Sequence, residues 1–324
     1  MDFCLTEEQE QLADAERAWL ERRDPIARVR ESLDETVIRL DRQATAHAAE
    51  SGLLELLTAG VGGTHMDLAV CSEAHGYAAS SLPIADLAIG RWVLERAEID
   101  APEGSVVGVA RVIGQTTHPV PMAADMDGLV AVREADDGDF VALVANPSLV
   151  SMTTLDLTRS WARLDLGESA LKWAPAPAGC VDRVRAALAL HRAADALGGA
   201  ARLLGMTVAY AGQREQFGAP IGSFQAVKHH CSDMAVGVEA GRSALWAAAF
   251  ALDSATEDVW KTAVSAAAAY VKSAASQVAS TALQVHGGIG FTWEHDLHLF
   301  LRRIKVDEAF DGSVAEHRAA LVPA

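Results

Sequence analysis

Residues Arg214 to Gln225 read REQFGAPIGSFQ, and this segment indicates how the chain on either side of it folds. It separates two long segments whose apolar residues recur at helical spacing, one around Leu197 and the other around Met234. The pattern predicts a helix hairpin whose glycine-containing turn carries an arginine and precedes a helix N-terminus. Free backbone N–H groups and a guanidinium at such a place can bind a pyrophosphate. Taken alone, such a turn more often only connects two helices at the surface, so a functional interpretation needs a second motif.

The second motif is Gln284–Phe291, which reads QVHGGIGF and follows a third helical stripe that ends near Val278. Two adjacent glycines let the backbone come close to a ligand or to another chain. The motif is not GxGxxG after a strand, so a dinucleotide-binding α/β fold is excluded. By itself the segment would be a helix C-terminus and nothing more.

Together the two motifs resemble the acyl-CoA dehydrogenase family, in which Arg-x-x-Phe-Gly and Phe-Gln are followed by Gln-x-x-Gly-Gly-x-Gly-Phe. The resemblance is close over residues 185–317, fair over 1–100 and weak between them. It continues through four further segments, which are Met1–Gln9, Trp293–His295, Leu301–Arg303 and Phe310–Ser313.

The resemblance implies a mainly α protein with a small β-domain. We expect an N-terminal helical domain over 1–100, a reduced middle β-domain over 101–180 and a C-terminal four-helix bundle over 181–324. Local patterns agree with this order. Thr6 and Gln9 form a capping-box pattern at the start of a helix, and two β-rich runs flank the sequence Asp136–Asp139, which is typical of a hairpin.

The resemblance also implies a cofactor and an activity. The family binds FAD and oxidises acyl-CoA thioesters to 2-enoyl-CoA, with a carboxylate as base and the flavin as hydride acceptor. In the family the matching groups reach an FAD that lies mainly in a neighbouring subunit. Arg214 resembles the family's arginine that holds the FAD phosphate, and Phe217 resembles the aromatic residue packed on the cofactor. Gln225 and Gln284 resemble residues that make polar contacts with FAD. Gly287 and Gly288 resemble the glycines at its pyrophosphate.

Three departures concern the chemistry of this chain's own site. The Thr-Glu-Pro-x-x-Gly-Ser-Asp loop and the Trp-Ile-Thr-Asn strand, which face the flavin and the acyl chain in the family, are absent from 101–180. The familial Tyr-Glu-Gly-Thr becomes Phe310–Ser313, which makes Asp311 the candidate catalytic base, although its side chain is one methylene shorter. An aspartate that caps a glycine turn is an equally good interpretation of Asp311. The alternative base position holds Leu188 and Ala189, so no carboxylate stands there.

We therefore expect a subunit of a heteromeric FAD-dependent acyl-CoA dehydrogenase, whose larger partner supplies the flavin face and the base. This resembles the short subunits of the heterotetrameric dehydrogenases of steroid degradation, which implies a bulky steroid-derived acyl-CoA. Two alternatives stay open. The chain is a non-catalytic structural partner, or it is a self-sufficient homo-oligomer that uses Asp311 as base.

Composition limits the other classes of function. The chain has 324 residues and a formal net charge of -17, without a basic run, which argues against nucleic acid and anionic membranes as partners. No signal peptide or membrane span is visible, so we expect a cytoplasmic protein. The adjacent pair His229 and His230 points about 100° apart on a helix and predicts no metal site. The cysteines are scattered and predict neither disulfide nor zinc site; they are Cys4, Cys71, Cys180 and Cys231.

Overall fold

The computed structural model describes residues 5–33, 38–102, 104–167 and 171–322. Helices occupy the chain up to Arg96, short strands follow from Val107 to Pro175, and long helices begin at Cys180. The predicted fold class, mainly α with a small β region and a helical bundle, is confirmed. The domain limits near residues 100 and 180 stay a prediction.

The N-terminal zone consists of helices that begin at clear sequence signals. Thr6 caps the first helix, and both hydrogen bonds of the predicted capping box with Gln9 are present. Helical spacing over 35–55 predicts a helix that reaches residue 55, but the α-helix ends at Glu50 because the next turn contains Gly52 at φ +73°. Residues 34–37 lie outside the described part of the chain. The helices are α1 (Glu7–Arg23), α2 (Pro25–Ser32), α3 (Arg42–Glu50), α4 (His65–Ala78) and α5 (Ile84–Arg96).

The middle zone forms two small sheets. The strands are β1 (Val107–Ile113), β2 (Thr116–Thr117), β3 (Val120–Pro121), β4 (Gly128–Ala135), β5 (Gly138–Ala145), β6 (Leu149–Met152), β7 (Trp161–Leu164) and β8 (Ala174–Pro175). One sheet has the order β2-β1-β4-β5-β8 and the other the order β3-β7-β6. The hairpin predicted around Asp136–Asp139 is confirmed, since β4 and β5 pair antiparallel up to Ala135 and Gly138.

The C-terminal zone is a bundle of long helices connected by short turns. The turn after the first of them contains the small hairpin β9 (Glu215–Gln216) and β10 (Ala219–Pro220). The helices are α6 (Cys180–Gln213), α7 (Gln225–Ser254), α8 (Glu257–His286), α9 (Leu297–Ala309) and the short α10 (Val314–Ala319). Small residues on α6 let α4 pack closely against it. An added Cβ on Gly198 would lie 2.0 Å from the Glu73 carbonyl oxygen, so only glycine fits at this crossing.

The apolar stripe predicted around Met234 is buried over only part of its length. Met234 and Val238 on α7 are buried, but Phe224 at the start of the same stripe is 38% exposed. The periodicity therefore predicts the helix correctly, while the first turn of that face lies outside the core. In the part of the chain that the structure describes, no helix is long and apolar enough to cross a membrane.

Candidate functional site

Both sequence motifs lie at the same end of the bundle. Tyr210 in the last turn of α6 stacks on His286 in the last turn of α8, with ring centroids 4.5 Å apart and an interplanar angle of 17°. Arg214 follows Tyr210 by four residues, and Gly287 directly follows His286. We call this region the open end of the bundle, defined by Arg214, Phe217, Gln225, Gln284, Gly287 and Gly288.

The polar side chains of the open end are exposed and have no protein partner. Arg214, Gln225 and Gln284 are all exposed to solvent. Within the described residues, neither the guanidinium of Arg214 nor the carboxamides of the two glutamines have a hydrogen-bond or ion-pair partner in the chain; the backbone N–H of Arg214 donates to Tyr210. These donors therefore remain available to a group from outside the chain.

Phe217 is the most unusual residue of the open end. Its side chain is 95% exposed, and its backbone lies in the left-handed region at φ +53°. A non-glycine residue in this region costs about 1 kcal/mol or more, and such strain concentrates at functional sites. The ring packs edge-on against that of Phe224, with centroids 6.1 Å apart and an interplanar angle of 81°. Neither burial nor backbone preference explains an aromatic residue at this position.

The glycine pair supports the same interpretation. Gly287 has φ +62°, and an added Cβ on Gly287 or Gly288 would meet nothing within 4 Å. Packing inside this chain does not require glycine there, in contrast to Gly198. A bare backbone, a free guanidinium, free carboxamides and an exposed ring are the groups that bind the phosphates and ring systems of a dinucleotide such as FAD. The open end therefore presents the types of group that the sequence analysis expects at an FAD contact, and the role of each residue stays a prediction.

Asp311 lies elsewhere, in the turn between α9 and α10. It is buried, and its backbone is also left-handed, at φ +55°. Its Oδ1 accepts a hydrogen bond from Arg111 at 3.3 Å, and its Oδ2 accepts from Arg192 Nε at 3.2 Å and Nη2 at 3.1 Å. Burial by itself raises the pKa of Asp311, but Arg192 and Arg111 outweigh burial and hold that pKa below its ordinary value. A carboxylate with both oxygens engaged by arginines is a poor proton acceptor, so the geometry weighs against Asp311 as base.

Four residues that the sequence did not single out create this environment. Arg111 comes from β1 and Arg192 from α6, and Arg192 also pairs with Asp86 of α5 at 3.0 Å. Lys272 of α8 is fully buried and donates to the carbonyl oxygens of Phe310 and Gly312, each at 2.7 Å, which fixes the turn on both sides of Asp311. No local sequence motif predicts these residues, because they come into contact only when the three zones pack together.

A second buried network lies beside the first. Arg159 contacts Asp156 at 2.8 Å and Asp307 at 2.7 Å, and Arg303 pairs with Asp195 at 2.6 Å. The segment 154–159 thus supplies two charged groups, Asp156 and Arg159, to the contact between the middle zone and the bundle. Burial and the neighbouring Asp195 raise the pKa of Asp307, while its contact with Arg159 lowers it.

A cavity of about 550 Å³ opens next to Asp311. We call it the Asp311 cavity. Arg111 and Asp311 lie at its lining, and Ala186, Ala189 and Trp260 provide apolar wall. Ala189 is one of the two residues at the alternative base position that the resemblance implies, and it contributes no carboxylate to the cavity.

The described residues contain no set of side chains that could bind a metal ion. No group of three or more histidine, cysteine or acidic side chains comes together there in a way that could hold a metal ion. His229 and His230 lie on α7 without such a cluster. Cys71, Cys180 and Cys231 are free thiols, while Cys4 lies outside the described residues.

Comparison with known protein families identifies the C-terminal zone. The family model for the C-terminal domain of acyl-CoA dehydrogenases matches residues 182–322. The curated acyl-CoA dehydrogenase IpdE2 of Mycolicibacterium smegmatis is 34% identical over 254 residues, which cover 75% of this chain and 74% of that protein. IpdE2 of Mycobacterium tuberculosis is 34% identical over 243 residues, 68% of this chain and 71% of the relative.

Solved structures share the fold over the whole chain. The ChsE4-ChsE5 complex from Mycobacterium tuberculosis contains a chain with a TM-score of 0.84 at 24% identity, and the match covers 100% of both chains. Butyryl-CoA dehydrogenase from Megasphaera elsdenii gives a TM-score of 0.82 at 16% identity, with 99% of this chain and 98% of the other covered. A structure described as the Tcur3481-Tcur3483 steroid ACAD G363A variant gives 0.82 at 22% identity, covering 97% and 96%. At these identities the matches show the fold alone.

Proposed function

The chain belongs to the acyl-CoA dehydrogenase family, and on this basis we propose that it is one subunit of a heteromeric FAD-dependent enzyme that oxidises acyl-CoA to 2-enoyl-CoA. Its part is to complete, from the open end of the bundle, an FAD site whose ring is housed by a larger partner subunit. The observation that carries this proposal is Phe217, an aromatic side chain 95% exposed on a strained backbone. It lies near Arg214, whose guanidinium has no partner among the described residues.

The open end acts on the cofactor by binding and orientation. Arg214 neutralises a phosphate with a charge-assisted hydrogen bond, and Gln225 and Gln284 add neutral ones. The bare backbone at Gly287 and Gly288 permits close approach. Bound FAD supplies the acceptor for the hydride that leaves the β-carbon of the thioester. The exposed ring of Phe217 covers part of the cofactor and excludes water from it.

In this proposal the base that removes the α-proton comes from the partner. Asp311 is engaged by Arg111 and Arg192, and Ala189 leaves the other base position empty of a carboxylate. The Asp311 turn therefore acts as a structural ion-pair centre that connects α9 to β1 and α6. The alternative in which this chain works alone with Asp311 as base requires that both arginine contacts open.

The substrate class that we propose is a bulky, steroid-derived acyl-CoA, and the assembly that we propose is a heterotetramer. Support for both comes from relatives rather than from residues of this chain. One fold neighbour is a complex of two different proteins, and another is described as a steroid enzyme. Both are less than 25% identical to this chain, so they motivate these two points without deciding them.

The test is flavin stoichiometry with and without a partner. The full chain is expressed alone and together with a longer acyl-CoA dehydrogenase subunit from the same source, and FAD is quantified per chain. We expect a colourless chain alone and a yellow complex that bleaches with acyl-CoA. A yellow chain that bleaches on its own would favour the self-sufficient homo-oligomer instead.

A variant of the open end sharpens this test. Arg214→Ala removes one charge-assisted contact to phosphate, which corresponds to about a tenfold or greater loss of FAD affinity in the complex. Arg22→Ala, an exposed arginine on α1, is the matched control and should leave FAD content unchanged. If the complex forms and Arg214→Ala retains full FAD, the chain is a structural partner without a cofactor contact at Arg214.

A further inference from the structure

A cavity of about 470 Å³ lies where α6 begins, at the end of this helix that is opposite to the open end of the bundle. Three helix ends line it, since α4 begins at His65, α5 ends at Arg96 and α6 begins at Cys180. It shares no lining residue with the Asp311 cavity. We call it the α6 N-terminal cavity. Its volume falls within the range of roughly 300–1,000 Å³ that is usual for small-molecule sites.

His65 is a buried polar side chain that faces this cavity without a partner. Its exposed fraction is 8%. Its Nδ1 lies 3.1 Å from Nε2 of His191, which is on the side of the ring away from the cavity. Its Nε2 has no hydrogen-bond partner in the described chain and keeps contact with solvent, whereas Nδ1 of His191 is closed off. One ring nitrogen of His65 is therefore free to bind a ligand.

The protonation of the histidine pair makes this nitrogen a donor. Burial and the charge of Arg183 lower the pKa of His65 to about 3, and burial lowers the pKa of His191 as well. Both rings are thus neutral at pH 7 and share one proton between them. If His191 Nε2 carries that proton, no buried N–H is left without an acceptor, which is the favourable arrangement. His65 Nε2 then carries its proton toward the cavity.

Two arginines line the same cavity without a carboxylate partner. Neither Arg96 nor Arg183 forms an ion pair in the part of the chain that the structure describes. Arg183 donates from Nη1 to the carbonyl oxygen of Leu252 at 2.9 Å, and its guanidinium lies 5.5 Å from the ring centroid of Trp260. The guanidinium of Arg96 lies 5.8 Å from the ring centroid of Trp92. Most of the N–H groups of both arginines stay available.

The carboxylates nearby are engaged by helix N-termini rather than by these arginines. Asp253 is the acidic side chain among the described residues that line the cavity, and both its oxygens accept the backbone N–H of His65, each at 3.0 Å. Asp139 accepts the backbone N–H of Val181 at 3.2 Å, in the first turn of α6. The partial positive charge of each helix N-terminus offsets part of the charge of its carboxylate. The lining thus holds two guanidiniums against one carboxylate, which favours an anionic ligand.

We propose that the α6 N-terminal cavity binds a phosphate monoester. Its phosphate oxygens accept hydrogen bonds from Arg96, Arg183 and His65 Nε2, and its organic group lies against Trp92 and Leu57. A phosphate suits this place better than a carboxylate, because the three donors belong to three different helices and a phosphate monoester offers three terminal oxygens. Guanidinium groups bind phosphate with charge-assisted hydrogen bonds. The site does not depend on the proposed FAD contacts.

The first test compares three probes of similar size. Phenyl phosphate, benzoate and neutral phenol are titrated into the full chain, and binding is measured by isothermal titration calorimetry. We expect phenyl phosphate to bind at least tenfold more tightly than phenol and at least fivefold more tightly than benzoate. Equal affinities for phenyl phosphate and benzoate, or no binding of phenyl phosphate at millimolar concentration, would overturn the proposal.

The second test locates the phosphate. Arg183→Gln should weaken phenyl phosphate at least tenfold, and Arg96→Gln should weaken it at least fivefold. Arg96 is exposed, so its variant remains informative if Arg183→Gln does not fold. The matched control is Arg22→Gln, because Arg22 is also an exposed arginine in the last turn of a helix, and it should change nothing. An unchanged affinity in the folded Arg96→Gln variant would contradict the proposal.

The third test separates this cavity from the open end of the bundle, where Arg214 is also a free arginine. Arg214→Gln should leave the affinity for phenyl phosphate within twofold. If Arg214→Gln weakens the binding and Arg96→Gln does not, the phosphate lies at the open end and the proposed cavity site is wrong. None of these measurements uses FAD or a partner subunit, so their failure leaves the proposed function untouched.

Discussion

The open end of the bundle and the Asp311 cavity treat their polar groups in opposite ways. At the open end, Arg214 and the two glutamines are exposed, and their side chains have no partner in the part of the chain that the structure describes. Phe217 is held at φ +53° with almost its whole side chain exposed to water. Around Asp311, nearly every charged group is buried and most are paired. The donors of the open end are available to a group from outside the chain, whereas the buried charges around Asp311 form ion pairs within the chain.

The difference between the two regions follows from the hydration of their charged groups. An exposed arginine keeps its hydration and costs the fold little, so a free donor set at the surface needs a reason other than stability. A buried arginine loses that hydration, and only close carboxylates offset the loss. Mutations in the two regions should therefore affect different properties: stability at the buried charges and cofactor retention at the open end.

The largest expected effect is on stability, for Arg159→Ala. This substitution leaves Asp156 and Asp307 without their arginine in a buried place. We expect a loss of about 3–5 kcal/mol in the free energy of unfolding, measured by urea denaturation. Arg39→Ala breaks an exposed pair with Asp125 and should cost about 1 kcal/mol or less. Equal losses in the two variants would mean that burial does not distinguish the ion pairs.

The second effect concerns Asp311→Asn, which should destabilise the fold by about 2–4 kcal/mol at neutral pH because Arg111 and Arg192 lose their shared carboxylate. In the complex, turnover should stay within about twofold, since the proposed base lies on the partner. A loss of turnover by orders of magnitude, with the variant still folded, would instead make Asp311 the base.

The pH dependence of stability tests the same ion pairs. The folded pKa of Asp311 is held below the unfolded value, so its contribution is complete above about pH 4 and is lost as the pH falls through the folded pKa. The unsubstituted chain should therefore lose stability more steeply in acid than Asp311→Asn does. Parallel pH profiles of unfolding would show that Asp311 contributes nothing by its charge.

The smallest expected effect separates strain from function at Phe217. Phe217→Gly relieves the left-handed backbone and should change stability by no more than about 1 kcal/mol, because the added flexibility of the unfolded chain offsets part of the gain. FAD retention in the complex should fall. Glu98→Gly is the matched control, since Glu98 is also exposed and has φ +54°. Loss of FAD from both variants, or from neither, would remove the argument for Phe217.

The sequence predicted the elements well where the pattern is local. The helix hairpin after Arg214, the strands around Asp136–Asp139 and the capping box at Thr6 are all confirmed. Each rests on a few neighbouring residues, so a short window contains the necessary information. The stripe that begins at Phe224 shows the limit, because periodicity identifies a helix face but not whether another element of the same chain covers it.

For the candidate site, too, the sequence identified residues in local motifs and missed residues that are distant in sequence. The six residues of the open end were found from two motifs, and their roles stay a prediction. Arg111, Arg192, Asp86 and Lys272 could not be found, since each is an ordinary charged residue in its own segment. Asp311 was found as a carboxylate at a matching position, but its sequence neighbours say nothing about the two arginines that engage it.

Residue types at fixed short spacing are enough to identify the family, the order of helices and strands, and the candidate donor set at the end of the bundle. The contacts of Asp311 with Arg111 and Arg192 are visible only in the folded chain. Arg111 and Asp311 are 200 residues apart along the chain. Their interaction depends on burial and on the balance of surrounding charges, which exist only after β1, α6 and the turn before α10 have packed together.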